Sequence, residues 1–295
     1  MVTVMSMDEG VSAPMDDERT LILLCPVCSS DASETIGITG TMDGSLQETV
    51  IMECQECSTV YFSPRPASAP GGSPRLPATI LTDALVRGWT KGLPSDARVL
   101  CIDIDGCECS QALTKIVPAS WSITGVDSMT FSGEANSVNG KYDLILLPLT
   151  LEAVSSPRDL MNEASKRLTQ GGRIVSITFN AGSSSFGLFG GRHWDGYRFP
   201  ETSQHFARES LERLASETGF GVQDVRTHSV PSTWLKSARR WLSDWNSGAV
   251  VTAILTGHWL VPQIFALVLE QIASARGRGS VVTAVFSQRG VQNRG

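Results

Sequence analysis

Between residues 79 and about 230 the chain alternates short apolar runs with segments of helical spacing. This rhythm limits the fold more than any other feature. "ILTDALVRGWTKGL" (80–93) carries apolar residues at helical spacing, and "RVLCIDI" (98–104) is a short apolar run. "SQALTKIV" (110–117) is again helical, and "WSITGVD" (121–127) is a run that ends in an acid. "YDLILLPL" (142–149) is a third run, followed by "SPRDLMNEASKRL" (156–168), a helix that Ser156 caps ahead of Pro157. "GGRIVSITF" (171–179) is a strand after a Gly-Gly break, and "ARESLERLASETGF" (207–220) is a helix that stops at Gly219. Strands alternating with helices predict a doubly wound, mostly parallel α/β sheet covered on both faces, with its ligand at the carboxyl ends of the strands.

Upstream lies a different pattern. "CPVC" supplies Cys25 and Cys28, and "CQEC" supplies Cys54 and Cys57. Each C-x-x-C turn offers two thiolates to one ion, and four thiolates close a structural zinc site. The stretch between the pairs alternates apolar and polar residues around Asp43-Gly44, a strong hairpin signal. A hairpin joining two such turns is a zinc ribbon, expected over 20–62. Residues 1–19 are polar and acidic and predict a flexible N-terminus without a signal peptide. The Pro-, Gly- and Ser-rich stretch 63–78 reads as a linker, and 79–295 as the sheet domain.

Charge narrows the partners. The chain carries a net −6, and residues 20–62 hold six acids and no Lys, Arg or His. Phosphate binding needs cations that displace counterions, so nucleic acid is excluded as the ribbon's ligand. Paired cysteines that suit metal better than disulfides point to a reducing compartment, and the expected location is cytoplasmic.

In order and spacing these pieces resemble a class I S-adenosylmethionine-dependent methyltransferase with an N-terminal zinc ribbon. "CPVC…CQECSTVYFSPRP" resembles the ribbon and its exit, "ARVLCIDIDG" the first strand and cofactor loop, and "ITGVDSM" the second strand. "YDLILLPLTLEAVSSPRDLMNEASKRLTQGGRIVSITFN" resembles the fourth strand, helix and fifth strand, and "FGGRHWDGYRFPETSQHFARESLERLASETGF" the substrate-side loop and its helix. The resemblance implies a Rossmann-like methyltransferase fold, S-adenosylmethionine and zinc as cofactors, and methyl transfer to a small-molecule acceptor. It gives Asp127 the role of holding the cofactor ribose, and it places a cofactor loop on Asp103, Asp105, Gly106 and Cys107.

That loop departs from the family. Its glycines, which let backbone approach the ligand without a Cβ in the way, are replaced. Setting Cys101 on the family's loop-leading Asp puts Asp103, Asp105 and Cys107 on the glycine positions. Setting Asp103 there puts Asp105, Cys107 and Cys109 on them. Both registers predict weak cofactor binding, and they leave open a second function, a non-catalytic methyltransferase-like binding or scaffold protein. Only 15 residues separate Asp127 from Asp143, too few for the family's helix and third strand. Glu134 is the acid that stands there. After the fourth strand, Leu149 and Ala153 replace the family's histidines and leave Glu152. His205, in a loop with His193, Trp194, Asp195 and Tyr197, becomes the candidate general base.

Finally, "STWLKSARRWLSDW" (232–245) mixes Trp, Leu and basic residues, and 246–269 contains no Asp, Glu, Lys or Arg. The stretch 232–271 is expected to form a packed apolar helical excursion. Its alternative is contact with a membrane or lipid through 232–269.

Overall fold

The computed structural model of the protein describes residues 24–39, 49–65, 82–104, 108–132, 138–198, 201–244 and 260–289. The N-terminal stretch 1–19, the Asp43-Gly44 turn, loop residues Asp105, Gly106 and Cys107, Glu134, most of the linker and 245–259 lie outside the described residues.

The sheet domain is built on six strands. They are β4 (Arg98–Asp103), β5 (Ser122–Asp127), β6 (Tyr142–Pro148), β7 (Leu168–Phe179), β9 (Phe220–His228) and β10 (Val281–Gln288), in the order β5-β4-β6-β7-β10-β9. The first four run parallel, while β10 is antiparallel to both β7 and β9. Parallel strands covered on both faces read as continuous apolar runs. Accordingly Leu144, Ile145, Leu146 and Leu147 are all fully buried.

The pleat sends alternate residues to two separate cores. Leu100 and Ile102 pack with Leu160, Met161 and Ala164 of α5 (Pro157–Ser165) and with Leu211 and Leu214 of α7 (Arg208–Glu217). Val99 and Cys101 face the other way, toward Val86 and Trp89 of α1 (Asp83–Thr90) and Leu113 of α2 (Glu108–Leu113). Ser156 caps α5, its Oγ accepting from the Asp159 amide at 3.2 Å. Between β5 and β6 the short α3 (Ser128–Ser132) stands among the described residues and no strand does, as the chain length there demands. Among the described residues the sheet therefore ends at β5.

The ribbon is an antiparallel hairpin, β1 (Ser33–Thr39) and β2 (Thr49–Cys54), extended by β3 (Val60–Ser63). Composition makes 63–78 a linker between two modules, but the packing joins them. β3 pairs on its far side with β8 (Gln204–His205), which belongs to the sheet domain's substrate-side loop. With a strand on each side, all four residues of β3 are buried. The Phe62 amide donates to Ser203 O at 3.0 Å, and Ser210 Oγ donates to Cys57 O at 2.9 Å. At Gly37 of β1 a Cβ would come within 2.7 Å of the Gly191 Cα, so glycine lets the hairpin lie against the loop that follows α6 (Ser184–Phe189). Cys25, Val27 and Tyr61 join one core of the sheet domain, and Ile51, Val60 and Phe62 join the other.

The tail forms α8 (Pro231–Asp244) and a further helix, α9 (Leu260–Ala275), packed on α8 and leading into β10. No helix among the described residues is long and apolar enough to cross a membrane.

Candidate functional site

The parallel register sets Asp103 beside Asp127, each the last residue of its strand. Both carboxylates turn back onto the helix that follows. Asp103 Oδ1 accepts from the Ile104 amide at 2.7 Å, and Oδ2 accepts from the Cys109 amide at 3.2 Å, across the loop and inside the first turn of α2. Asp127 accepts from the Thr130 amide at 2.8 Å and from the Thr130 hydroxyl, capping α3. A carboxylate offers about four acceptor sites, of which these bonds use two on Asp103. Cys101 points away from this edge into the core, where the Cys109 thiol and burial push its own thiol well above the ordinary range.

At the end of β6, Leu149 adopts φ +57°, a left-handed conformation that costs a non-glycine residue about 1–2 kcal/mol. It is held there by its amide, which donates to Ile177 O at 2.7 Å. The turn starts α4 (Thr150–Ala153) and drives Glu152 under the sheet edge. Glu152 is wholly buried; its Oε1 accepts from the Phe179 amide at 2.7 Å, and its Oε2 has no hydrogen-bond partner among the described residues. Burial pushes this carboxyl well above its ordinary range, against the pull of Arg198.

His205 lies 3.6 Å from Glu152 and is also fully buried, edge-on to the rings of Phe62, Trp194 and Tyr197. Burial lowers its pKa to about 3, so the imidazole is neutral. A general base must reach the proton it takes, and His205 reaches only groups inside this cage. The rest of the expected substrate loop divides. Trp194, Asp195 and Tyr197 are buried, whereas His193 sits near the surface with Nε2 2.9 Å from Asp244. Asp195 faces Arg240 at 3.0 Å, with Arg198 and Lys236 each at 3.8 Å. Sequence reasoning missed this cluster, because two of its three cations, Lys236 and Arg240, arrive from α8. The sole signal was an acid embedded between Trp194 and Tyr197.

The second site is the cysteine cluster. The Sγ atoms of Cys25, Cys28, Cys54 and Cys57 all lie within 4.8 Å of one another. Cys25 and Cys57 are 3.6 Å apart, and Cys28 and Cys54 are 3.5 Å apart. Four sulfurs at about 2.3 Å from a tetrahedral zinc stand about 3.8 Å apart, so the donor set fits that ion. The hydrogen bond from Cys25 helps pull the Cys57 thiol down to about 5, and the same bond pushes Cys25 far up.

A cavity of about 600 Å³ opens beyond the carboxyl end of β7, lined in part by Asn180, Ser183, Phe186, Arg208 and Arg278. Residues 87–225 match the model of a family described as "Methyltransferase domain". That stretch, a little under half of the chain, is similar to a methyltransferase domain. No curated protein sequence matches the chain. Among solved structures, the chain is similar to the [4+2]-cyclase SpnF, at 14% identity over 76% of this chain and 86% of that one, with a TM-score of 0.40. It is also similar to a candidate methyltransferase from Bacillus halodurans, at 12% identity over 69% and 95%, with a TM-score of 0.41. A methyltransferase domain implies S-adenosylmethionine, and the four cysteines are a set that could hold zinc.

Proposed function

We propose that the protein transfers the sulfonium methyl of S-adenosylmethionine to a small-molecule acceptor, and that zinc holds its ribbon against the domain. The observation that carries the reading is the pair of carboxylates, Asp103 and Asp127, side by side at the carboxyl edge of a methyltransferase domain. We take Asp103 as the loop-leading acid, since its carboxylate spans the loop to Cys109 while Cys101 is sealed in the core. Asp127 then holds the ribose hydroxyls. In that register Asp105, Cys107 and Cys109 take the places of the family's glycines in the sequence. The bound cofactor supplies an electrophilic methyl, and in-line displacement asks the protein chiefly for orientation. The cavity beyond β7 is of a size that takes a small acceptor. His205 is neutral and enclosed, and we assign it a positioning role through β3 and Glu152.

One observation favours the second reading, a non-catalytic methyltransferase-like protein: both carboxylates already accept hydrogen bonds from the chain that follows their strands, Asp103 from Ile104 and Cys109 and Asp127 from Thr130. Equilibrium dialysis against tritiated S-adenosylmethionine separates the two. The first reading expects weak binding that tightens when Asp105→Gly and Cys107→Gly are introduced together. No binding by either protein would support the second.

A further inference from the structure

The least expected surface of the molecule is made by its tail. Ile264, Phe265, Leu267, Val268 and Ile272 are 44–64% exposed, all on α9. Beside them a groove of about 340 Å³ runs between α6, α8 and α9, its walls including Phe189, Trp234, Trp241, Phe265 and Leu269 and no charged residue. Phe265 belongs to both features, so groove and exposed face are continuous. Single exposed apolar residues are ordinary, but a contiguous patch of this kind marks an interaction surface.

The patch is held rigidly. Glu270, on the opposite side of α9, is wholly buried. Its Oε1 accepts from the amides of Val230 at 3.1 Å and Ser280 at 2.6 Å, and its Oε2 accepts from Trp234 Nε1 at 2.5 Å. These bonds tie α9 to the start of α8 and of β10. The helix cannot turn its apolar face inward without stripping a buried carboxylate of all three donors.

Charge selects the occupant. The chain as a whole is net −6, yet 231–278 carries the exposed Arg239, Arg276 and Arg278, besides Lys236 and Arg240 that face Asp195, against Asp244 and the buried Glu270. Arg239 is exposed and follows Ala238 of the groove wall. Trp241, half in the groove, is 39% exposed. An apolar helix face with tryptophan and basic residues at its margin suits the boundary between headgroups and acyl chains. At 16 residues α9 is roughly 24 Å long, too short to span the ~30 Å hydrocarbon core.

We propose that α8 and α9 dock the protein on an anionic lipid bilayer, with α9 lying in the interface and Phe265 inserted. This goes beyond methyl transfer and does not depend on it. The test is flotation of the full-length protein with vesicles of phosphatidylcholine mixed with phosphatidylglycerol, and with vesicles of phosphatidylcholine alone. The protein should float with the anionic vesicles and much less with the neutral ones, and should be released by 1 M salt. Phe265→Asp and Ile264→Asp change exposed residues, so thermal melts should stay near the parent's while the bound fraction falls by about tenfold or more. Arg239→Glu should weaken binding to anionic vesicles alone. Absence of flotation, equal flotation on neutral vesicles, or retention of binding by both aspartate variants would overturn the proposal. So would sedimentation velocity showing a dimer that Ile264→Asp disperses, which would make a second copy the occupant.

Discussion

Replacing Glu152 by Gln should remove a loss of stability that the parent suffers as pH rises, and the buried pair Glu152–His205 fixes the sign. Burial raises the Glu152 carboxyl and lowers His205 to about 3. In the unfolded chain they titrate near their ordinary values, about 4.3 and about 6.5. Below about pH 4.3 the unfolded chain binds two protons at this pair and the folded protein one, so stability falls as pH falls toward His205's folded value. Between about 4.3 and 6.5 each state holds one proton, and the pair contributes no slope. Above about 6.5 the unfolded chain holds none while Glu152 keeps its own. Each further pH unit then costs about 1.4 kcal/mol until Glu152 ionises. Gln keeps the carbonyl that accepts from the Phe179 amide and removes the titration. The variant's stability minus the parent's should therefore grow by about 1.4 kcal/mol per pH unit above about pH 4.3, for as long as Glu152 keeps its proton in the fold. Other titrating groups, such as Asp195 and His228, are common to both proteins and cancel. Urea unfolding at a series of pH values measures the difference. A flat difference from pH 5 to 8 would show that Glu152 is ionised in the fold.

Freshly purified protein should contain one zinc per chain by metal analysis, and chelation should quench or shift Trp194 fluorescence, because Phe62 on β3 closes the cage around His205. Ser156→Ala removes the α5 cap and should cost about 1 kcal/mol in denaturant titrations. Gly279→Ala would put a Cβ 2.8 Å from the His228 carbonyl, where β9 meets the entry to β10, and should lower the melting temperature by several degrees.

The sheet was legible because parallel strands leave an unmixed apolar signal: β4, β5 and β6 begin and end within a residue or so of the runs that predicted them. β7 shows the limit. Gly171-Gly172 reads as a break, yet the strand starts at Leu168 and runs through it, with Gly171 at φ +82° and an irregular register against β6. The four cysteines were legible because metal chemistry fixes their spacing. What could not be read is non-local. β8 is two residues long, and its partner β3 lies about 140 residues away in the chain, so no periodicity announces the pairing that joins ribbon to domain. His205 looked like an available base, but burial is a property of its neighbours Phe62, Trp194 and Tyr197. The burial of Glu270 likewise depends on Val230, Trp234 and Ser280, none of them its neighbours in the chain.

The central claim, that the edge formed by Asp103 and Asp127 binds S-adenosylmethionine, is tested most directly by calorimetric titration of the parent and of Asp127→Ala. Asp127→Asn accompanies them as a variant that still caps α3. The parent should bind, more weakly than a fully glycine loop would allow: the loss of a few hydrogen bonds at about 1 kcal/mol each is one to three orders of magnitude. Both variants should lose that binding while their thermal melts show the domain still folded. No heat from the parent, or an affinity unchanged in both variants, would contradict the claim.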